Sequence, residues 1–224
     1  GLDTVIPQEF CRVEDDRLSF PARVVRRGDN RRLAGEDLMQ GQPALRRGQR
    51  LSPAALGMVA SLGLTGVPVL RRLRVACLST GDEILEVGDA PREGAVYDSN
   101  RYTVTALLER LGCEVIDLGL VRDDPASLAA AVQRAAREAD AIVTSGGVSA
   151  GAADHTRDVM RQLGDIAFWR VAMRPGRPMA VGLIPREPQG SESAVLFGLP
   201  GNPVAVMVTF LAFVRPALLR MMGC

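Results

Sequence analysis

Two rhythms of apolar residues divide the sequence. Through the first fifty positions Arg, Asp and Gly break up the apolar residues. Only brief alternation survives, as at Leu18, Phe20, Ala22 and Val24, the period-two signal of short half-buried strands. Ser52-Pro53 then reads as an N-cap and first helical residue, with Leu56, Val59 and Ala60 on one face and Gly63 as the stop. Val67 to Arg74, with Pro68 and the Arg71-Arg72 pair, reads as a connector. The expected division is a small, mostly β segment with one helix over 1–71 and an α/β domain over 72–224.

From Arg74 onward strand and helix signals alternate. Val75 to Leu78 is a short buried strand; Val104, Leu107, Leu108 and Leu111 follow Ser99-Asn100 at helical spacing, and Gly112 ends the helix. Glu114 to Leu118 returns as a strand. Asp124-Pro125 caps a helix with Leu128, Ala131, Val132 and Ala135 inward, and Ala141 to Thr144 is a third strand. Ile166 to Val171, Met179 to Leu183 and Val195 to Phe197 add strands, with a Pro/Gly/Ser loop from Pro185 to Ser193. Asn202-Pro203 caps a last helix, kinked or broken near Pro216. The pattern predicts a doubly wound parallel sheet. The apolar run Val204 to Val214 is shorter than the ~18–20 residues of a bilayer-crossing helix and reads as a buried helix.

Composition narrows the chemistry. The 224 residues, 47% hydrophobic and 24% charged, suffice for one α/β domain and a smaller unit. All 27 basic residues are Arg. Without Lys there is no Schiff base and no G-x-x-x-x-G-K-[ST] phosphate loop. A single His, His155, excludes His-rich zinc sites and leaves one candidate base for a Ser-His-Asp arrangement. A net charge of +1 argues against nucleic-acid or membrane partners and favours small-molecule work. Cys11, Cys77, Cys113 and Cys224 show no C-x-x-C spacing, and Cys77 sits in an apolar run as a small hydrophobe. A cytoplasmic location is expected.

In an open parallel sheet a ligand sits beyond the carboxyl ends of the strands. Four stretches there carry chemistry: Ser79-Thr80-Gly81-Asp82-Glu83, Arg122-Asp123-Asp124, Ser145 to Gly151, and Leu199-Pro200-Gly201-Asn202-Pro203. The Ser145 to Gly151 loop runs into a helix expected near Asp154. Its small residues let N–H groups turn inward and, with the helix dipole, form a nest for phosphate. A tight turn that needs Gly is the competing reading. The loop departs from G-x-G-x-x-G, against a dinucleotide site. Gly147 to Gly151 also spell G-x-S-x-G, with Ser149 as a nucleophile, but no His later than His155 is available as base.

Asp82, Glu83, Asp98, Asp123 and Asp154 put carboxylates on the same expected rim, where Mg2+ could bridge them to a phosphate. Taken singly, each reads better as a cap or a solvated loop acid, and the cluster is stronger than its members. Arg170, Arg174 and Arg177, stiffened by Pro175 and Pro178, form a candidate anion clamp, with ordinary surface charge as the alternative. Pro200 to Pro203 fixes a turn at a helix N-terminus with N–H groups for a second anion.

S-T-G-D-E at Ser79 to Glu83, Y-D-S-N at Tyr97 to Asn100, R-D-D at Arg122 to Asp124, S-G-G-V-S-x-G-x-x-D at Ser145 to Asp154, R-P-G-R-P at Arg174 to Pro178 and L-P-G-N-P at Leu199 to Pro203 together resemble the molybdopterin molybdenumtransferases. These are MoeA in bacteria and the gephyrin E domain in animals. Arg31-Arg32-x-x-Gly35-Glu36-Asp37 and the helix after Ser52 resemble the region preceding the pterin-binding domain. The G-x-S-x-G match then becomes part of a longer motif. The resemblance implies a three-layer α/β molybdopterin-binding domain with a parallel sheet, preceded by a linker and dimer region. It also implies a homodimeric enzyme that takes adenylylated molybdopterin and molybdate and releases AMP and molybdenum cofactor with Mg2+.

By position, the resemblance implies that Ser145, Gly146, Gly147 and Ser149 cradle the pterin or its phosphate, with Thr80, Gly81, Asp82, Asp98 and Asn100 nearby. Pro200, Gly201, Asn202 and Pro203 would form the pocket floor. Glu83, Asp123 and Asp154 would serve metal, nucleotide and catalysis. Asp37 would belong to the neighbouring segment that completes the site in a dimer, and Arg170, Arg174 and Arg177 would hold molybdate. Contacts with the upstream molybdopterin adenylyltransferase and with recipient molybdoenzymes follow from the same resemblance. It differs in two respects. Arg stands where the family usually has Lys, and a preceding portion and a following β-barrel domain of the family lie outside these residues. A non-catalytic molybdopterin-binding or scaffolding module, and more distantly a serine hydrolase using Ser149, are the alternative readings.

Overall fold

Short polar side chains start four helices in the computed structural model, which describes residues 2–146, 154–187 and 190–224. Ser52, Asp98, Asp124 and Asn202 each accept a hydrogen bond from the backbone N–H three residues on, at 2.9–3.2 Å. Pro53, Pro125 and Pro203 occupy the first helical position, where a missing N–H leaves nothing unsatisfied.

The chain divides into two compact units, Gly1–Thr65 and Gly66–Cys224. In the first, strands β1 (Arg12–Glu14) and β2 (Arg17–Ser19) form a hairpin that pairs Val13 with Leu18. Helix α1 (Pro53–Ser61) follows. The expected half-buried strands are corrected twice. The alternation beyond Ser19 is not strand, because Pro21 removes a ladder donor and Arg23 turns to a φ of 66°. The strands that do form are exposed along their whole length. In α1 the buried positions are Ala55 and Val59, whereas Leu56 of the expected face is 55% exposed.

The second unit contains β3 (Arg74–Thr80), the short pair β4 (Ile84–Leu85) and β5 (Val96–Tyr97), α2 (Ser99–Leu111), β6 (Glu114–Val121), α3 (Pro125–Glu138) and β7 (Ala141–Ser145). It continues with α4 (Asp154–Leu163), β8 (Asp165–Arg170), β9 (Pro178–Pro185), β10 (Ser193–Leu199), α5 (Pro203–Thr209), a π-helical turn over Phe210–Val214, and α6 (Arg215–Met221). Six strands form one sheet in the order β6-β3-β7-β10-β9-β8. The expected parallel sheet is corrected at one strand. β6, β3, β7 and β10 pair in parallel, but β9 runs antiparallel to both β10 and β8. The connections give the reason. Helices carry the chain across the sheet between the parallel strands, while only residues 171–177 join β8 to β9 and 186–192 join β9 to β10, too short for a crossover.

Alternation along the strands sorts the core into two faces. Val75, Cys77, Val143, Phe197 and Leu199 pack with Val104 and Leu108 of α2 and Val206 of α5. Ala76, Leu78, Ile142 and Leu196 pack with Leu128 and Val132 of α3 and Met160 of α4. The result is three layers, helix on sheet on helix.

The last helix is longer and less buried than the Val204 to Val214 run suggests. Pro203–Met221 is continuous, with a mean hydropathy of 1.8 and a third of its window buried, so its length and apolarity alone would allow it to cross a membrane. Its stripe Val206, Phe210, Val214 and Leu218 belongs to the sheet core. The break expected at Pro216 is absorbed by widening the preceding turn to π geometry, which accommodates the missing proline donor.

Candidate functional site

Strand register brings the loop starts to one edge. Ser145 at the end of β7 lies opposite both Ser79 of β3 and Leu199 of β10, and Thr80 lies opposite Val121 at the end of β6. Segments 79–83, 122–124, 145–146 and 199–203 therefore leave the sheet at the same rim. The β8–β9 loop joins them, because Ala180 near the start of β9 pairs with both Phe168 and Gly198.

The first turn of α2 fastens these segments together. Asp98 is buried and N-caps α2; its carboxylate also accepts from Ser79 Oγ at 3.1 Å and Arg101 Nε at 3.0 Å. Asn100 Nδ2 donates to Ser145 Oγ at 2.8 Å and to Gly201 O at 2.7 Å. The Arg101 guanidinium, only 7% exposed, also reaches Asp117 on β6 at 2.5 Å, and Glu86 in the segment after β4. Asp98 and Asn100, expected to touch substrate, thus have most of their polar atoms engaged by protein.

The rim nevertheless holds buried polar atoms without a partner among the described residues: Thr80 Oγ1, Thr144 Oγ1 and Asn100 Oδ1. Such atoms cost about 1–3 kcal/mol each unless a water, an ion or a ligand satisfies them. They flank the strand-end cradle from both faces of the sheet: Thr80 and Thr144 continue Leu78 and Ile142 on the α3–α4 face, and Asn100 stands on the α2 face. Backbone approach there is close. A Cβ at Gly146 would lie 2.3 Å from Thr80 O, and its φ of +90° suits glycine alone. Gly81 gives similar room: a Cβ would come within 2.9 Å of Glu83 Oε2, so the carboxylate folds over a glycine.

The remaining acids and cations are more dispersed. Asp82 and Glu83 are exposed, and the Asp82 carbonyl accepts from Arg92. Asp123 is half-buried. Neighbouring Asp124 caps α3, and the Ser127 N–H holds its carboxyl below the ordinary range. Asp37 belongs to the first unit, 3.5 Å from Arg32 Nη1. Arg174 and Arg177 are exposed in the β8–β9 loop, which the Val171 N–H closes onto Arg177 O at 2.7 Å. The Arg174–Pro175 peptide is cis. Pro200 is buried beneath the exposed Gly201, Asn202 and Pro203, and Asn202 caps α5.

Gly147 and Ser149 lie outside the described residues. Asp154 begins α4, and Arg170 ends β8. Among the described residues no three His, Cys, Asp or Glu side chains gather as a metal cage. The described acids therefore do not fit a metal held by protein ligands alone. Burial pushes the Cys77 thiol up to about 12 and the Cys113 thiol up to about 11, so both stay protonated and act as core residues.

Sequence reasoning named Ser79 only within its loop and missed Thr144, Arg101, Glu86 and Asp117. Thr144 had a signal: a hydroxyl at the end of the run Ala141-Ile142-Val143. Arg101 had a weaker one, three residues after an N-cap aspartate. Glu86 and Asp117 had none, since what engages them is a guanidinium from a distant helix turn.

A sheet whose strand ends gather glycine-bearing loops, helix N-termini and unpartnered polar atoms at one rim defines an α/β ligand-binding domain of the doubly wound class. Residues 76–220 match the family model described as "Probable molybdopterin binding domain", and the chain belongs to that family. Residues 1–63 match the MoeA N-terminal region, domains I and II. The chain is 43% identical over 223 residues to a molybdopterin molybdenumtransferase of Haemophilus influenzae, covering 100% of this chain and 54% of that protein. It is 37% identical to one of Nostoc, covering 100% and 50%. A crystal structure of the molybdopterin biosynthesis MoeA protein of Pyrococcus horikoshii superposes with a TM-score of 0.71 at 31% identity, over 99% of this chain and 53% of that one. The chain thus spans about half the length of these relatives. Its place is in molybdenum cofactor biosynthesis.

Proposed function

We propose that this protein is a molybdopterin molybdenumtransferase that binds adenylylated molybdopterin and molybdate at the strand-end rim and releases AMP and molybdenum cofactor. The observation that carries the reading is the polar cradle of Thr80, Thr144, Asn100 and Gly146 on a family molybdopterin-binding domain. The anhydride carries several negative charges; when an oxygen of water or molybdate attacks one phosphorus, a new P–O bond forms, the P–O–P bridge breaks, and the bridging oxygen leaves on the other phosphate with added charge. The N-terminus of the long helix that opens at Pro203 supplies a fixed dipole toward such charge. Arg174 and Arg177 are free to pivot on an exposed loop, which suits capture of a tetrahedral oxyanion.

Mg2+ commonly binds through one or two carboxylates together with substrate phosphates. Without a ready cage among the described residues, we place it with the phosphate ligand, where Glu83 and Asp123 are the acids offered to it. The sequence resemblance adds Asp154 to that group and a cytoplasmic homodimer as the working form, with Asp37 at the completed site. Molybdate-dependent AMP release from adenylylated molybdopterin tests the reading. Release that Glu83→Gln or Asp123→Asn slows more than it weakens pterin binding supports it. Binding without release favours a scaffolding module, and absence of binding overturns both.

A further inference from the structure

We propose that Asn100 is a positioning residue: its amide nitrogen holds the end of β7 and the Pro200–Pro203 turn in one geometry, so that both present their polar groups to a single phosphorylated ligand. Both N–H groups of that nitrogen are spent on protein, one on Ser145 Oγ at 2.8 Å and one on Gly201 O at 2.7 Å. A carbonyl can only accept, so the nitrogen must face Gly201, and this settles which way the amide is turned. A saturated nitrogen has nothing left to donate to a ligand. Asn100, which the resemblance sets near the pterin, then acts on the ligand through Ser145 and Gly201.

The two segments it joins are 45 and 101 residues away in sequence. Among the described residues, the backbone link at the ends of β7 and β10 is the long bond of 3.3 Å from the Gly146 N–H to Leu199 O. Asn100 supplies shorter bonds at that point, from a residue 8% exposed. Its own footing is firm, because Asp98, two residues earlier, is tied to Ser79 on β3. Removing the amide strands a buried hydroxyl and a carbonyl and frees the turn to shift relative to the cradle.

This role rests on the molybdopterin reading above, and two readouts keep their failures apart. Asn100→Ala, and the isosteric Asn100→Asp that sets an oxygen against Gly201 O, are compared with Val104→Ala. That control cuts into the core beneath the same helix without touching the rim. Hydrogen exchange on the whole chain needs no ligand. The Gly146 and Ala205 amides are expected to exchange about tenfold faster in the Asn100 variants, with Val132 on the opposite face unchanged. The molybdopterin dissociation constant is expected to rise about tenfold or more in both Asn100 variants and less than about twofold in Val104→Ala, at a temperature where all stay folded. Unchanged exchange at Gly146 and Ala205, or equal weakening by Val104→Ala, overturns the positioning role. If the parent binds no molybdopterin while Asn100→Ala speeds exchange at those amides, the ligand reading falls and the pinning stands.

Discussion

Arg101 Nε lies 3.0 Å from Asp98 Oδ2, and the two side chains are 7% and 2% exposed, so an ion pair is sealed in where α2 begins. Asp98 also holds the α2 N-terminus and Ser79, while Arg101 reaches Asp117 and Glu86. The pair is one member of a network that ties β3, β6 and the segment after β4 to a single helix turn. Arg101→Met should destabilise the fold by about 3–5 kcal/mol, because it leaves a buried carboxylate without its cation. Chemical denaturation measures this. A loss below about 1 kcal/mol would mean that water reaches Asp98 and that the network is not structural.

Asp140 presents a second charge cluster, remote from the rim. The Arg71 guanidinium above all holds its carboxyl down at about 2, against the opposing effect of burial and with help from the Arg74 N–H and Arg186. Its folded value lies below the ordinary 3.8, so its contribution is complete above about pH 4 and is lost as pH falls toward about 2. Asp140→Asn should cost about 1–2 kcal/mol at neutral pH, allowing for the solvent that screens Arg71, and should flatten the stability profile between those limits. Unfolding free energies from pH 7 to 2 test this. A variant with the parent's full acid slope would place the sensitivity in other carboxylates.

Gly146→Ala should be costly in two ways. The new methyl group would meet Thr80 O at 2.3 Å, and the residue would be forced to hold a φ of +90°. We expect a loss of about 2–3 kcal/mol and no measurable molybdopterin binding. Gly112→Ala is the control, with a φ of +94° but open space around the added carbon; it should cost about 1 kcal/mol and leave binding intact. Thermal unfolding paired with a binding titration separates the two cases.

Arg174→Ala and Arg177→Ala should each raise the molybdate concentration giving half-maximal AMP release by about fivefold or more, with little change in stability, because both side chains are exposed. A molybdate response identical to the parent's would mark these arginines as surface charge.

Several features of this fold were legible because their physics is local. Ser52, Asp124 and Asn202 can cap a helix using only a backbone N–H three residues on. The periodicity of Val104, Leu108 and Leu111 places one face of α2 without reference to any neighbour. The loops that gather at the rim were named for the same reason, since strand direction alone sends them to one edge. The reversal of β9 was not legible, because a short apolar strand reads the same in either direction. The exposed hairpin Val13–Leu18 was missed for a related reason: alternation signals a face fit for burial, not what covers it.

The residue pattern by itself determined the caps at Ser52, Asp124 and Asn202, the order of the larger unit's main strands and helices apart from the short β4–β5 pair, the glycine at Gly146 and the family to which the chain belongs. Only tertiary structure decided that Asn100 grips Ser145 and Gly201, that Arg101 gathers Asp98, Asp117 and Glu86, and that Thr80 and Thr144 have hydroxyls unmet among the described residues. Caps and periodicity depend on neighbours a few residues away, so the order of residues carries them. Partners tens of residues apart meet only once the sheet has set its register, and no spacing in the chain encodes which polar atom that register will leave alone.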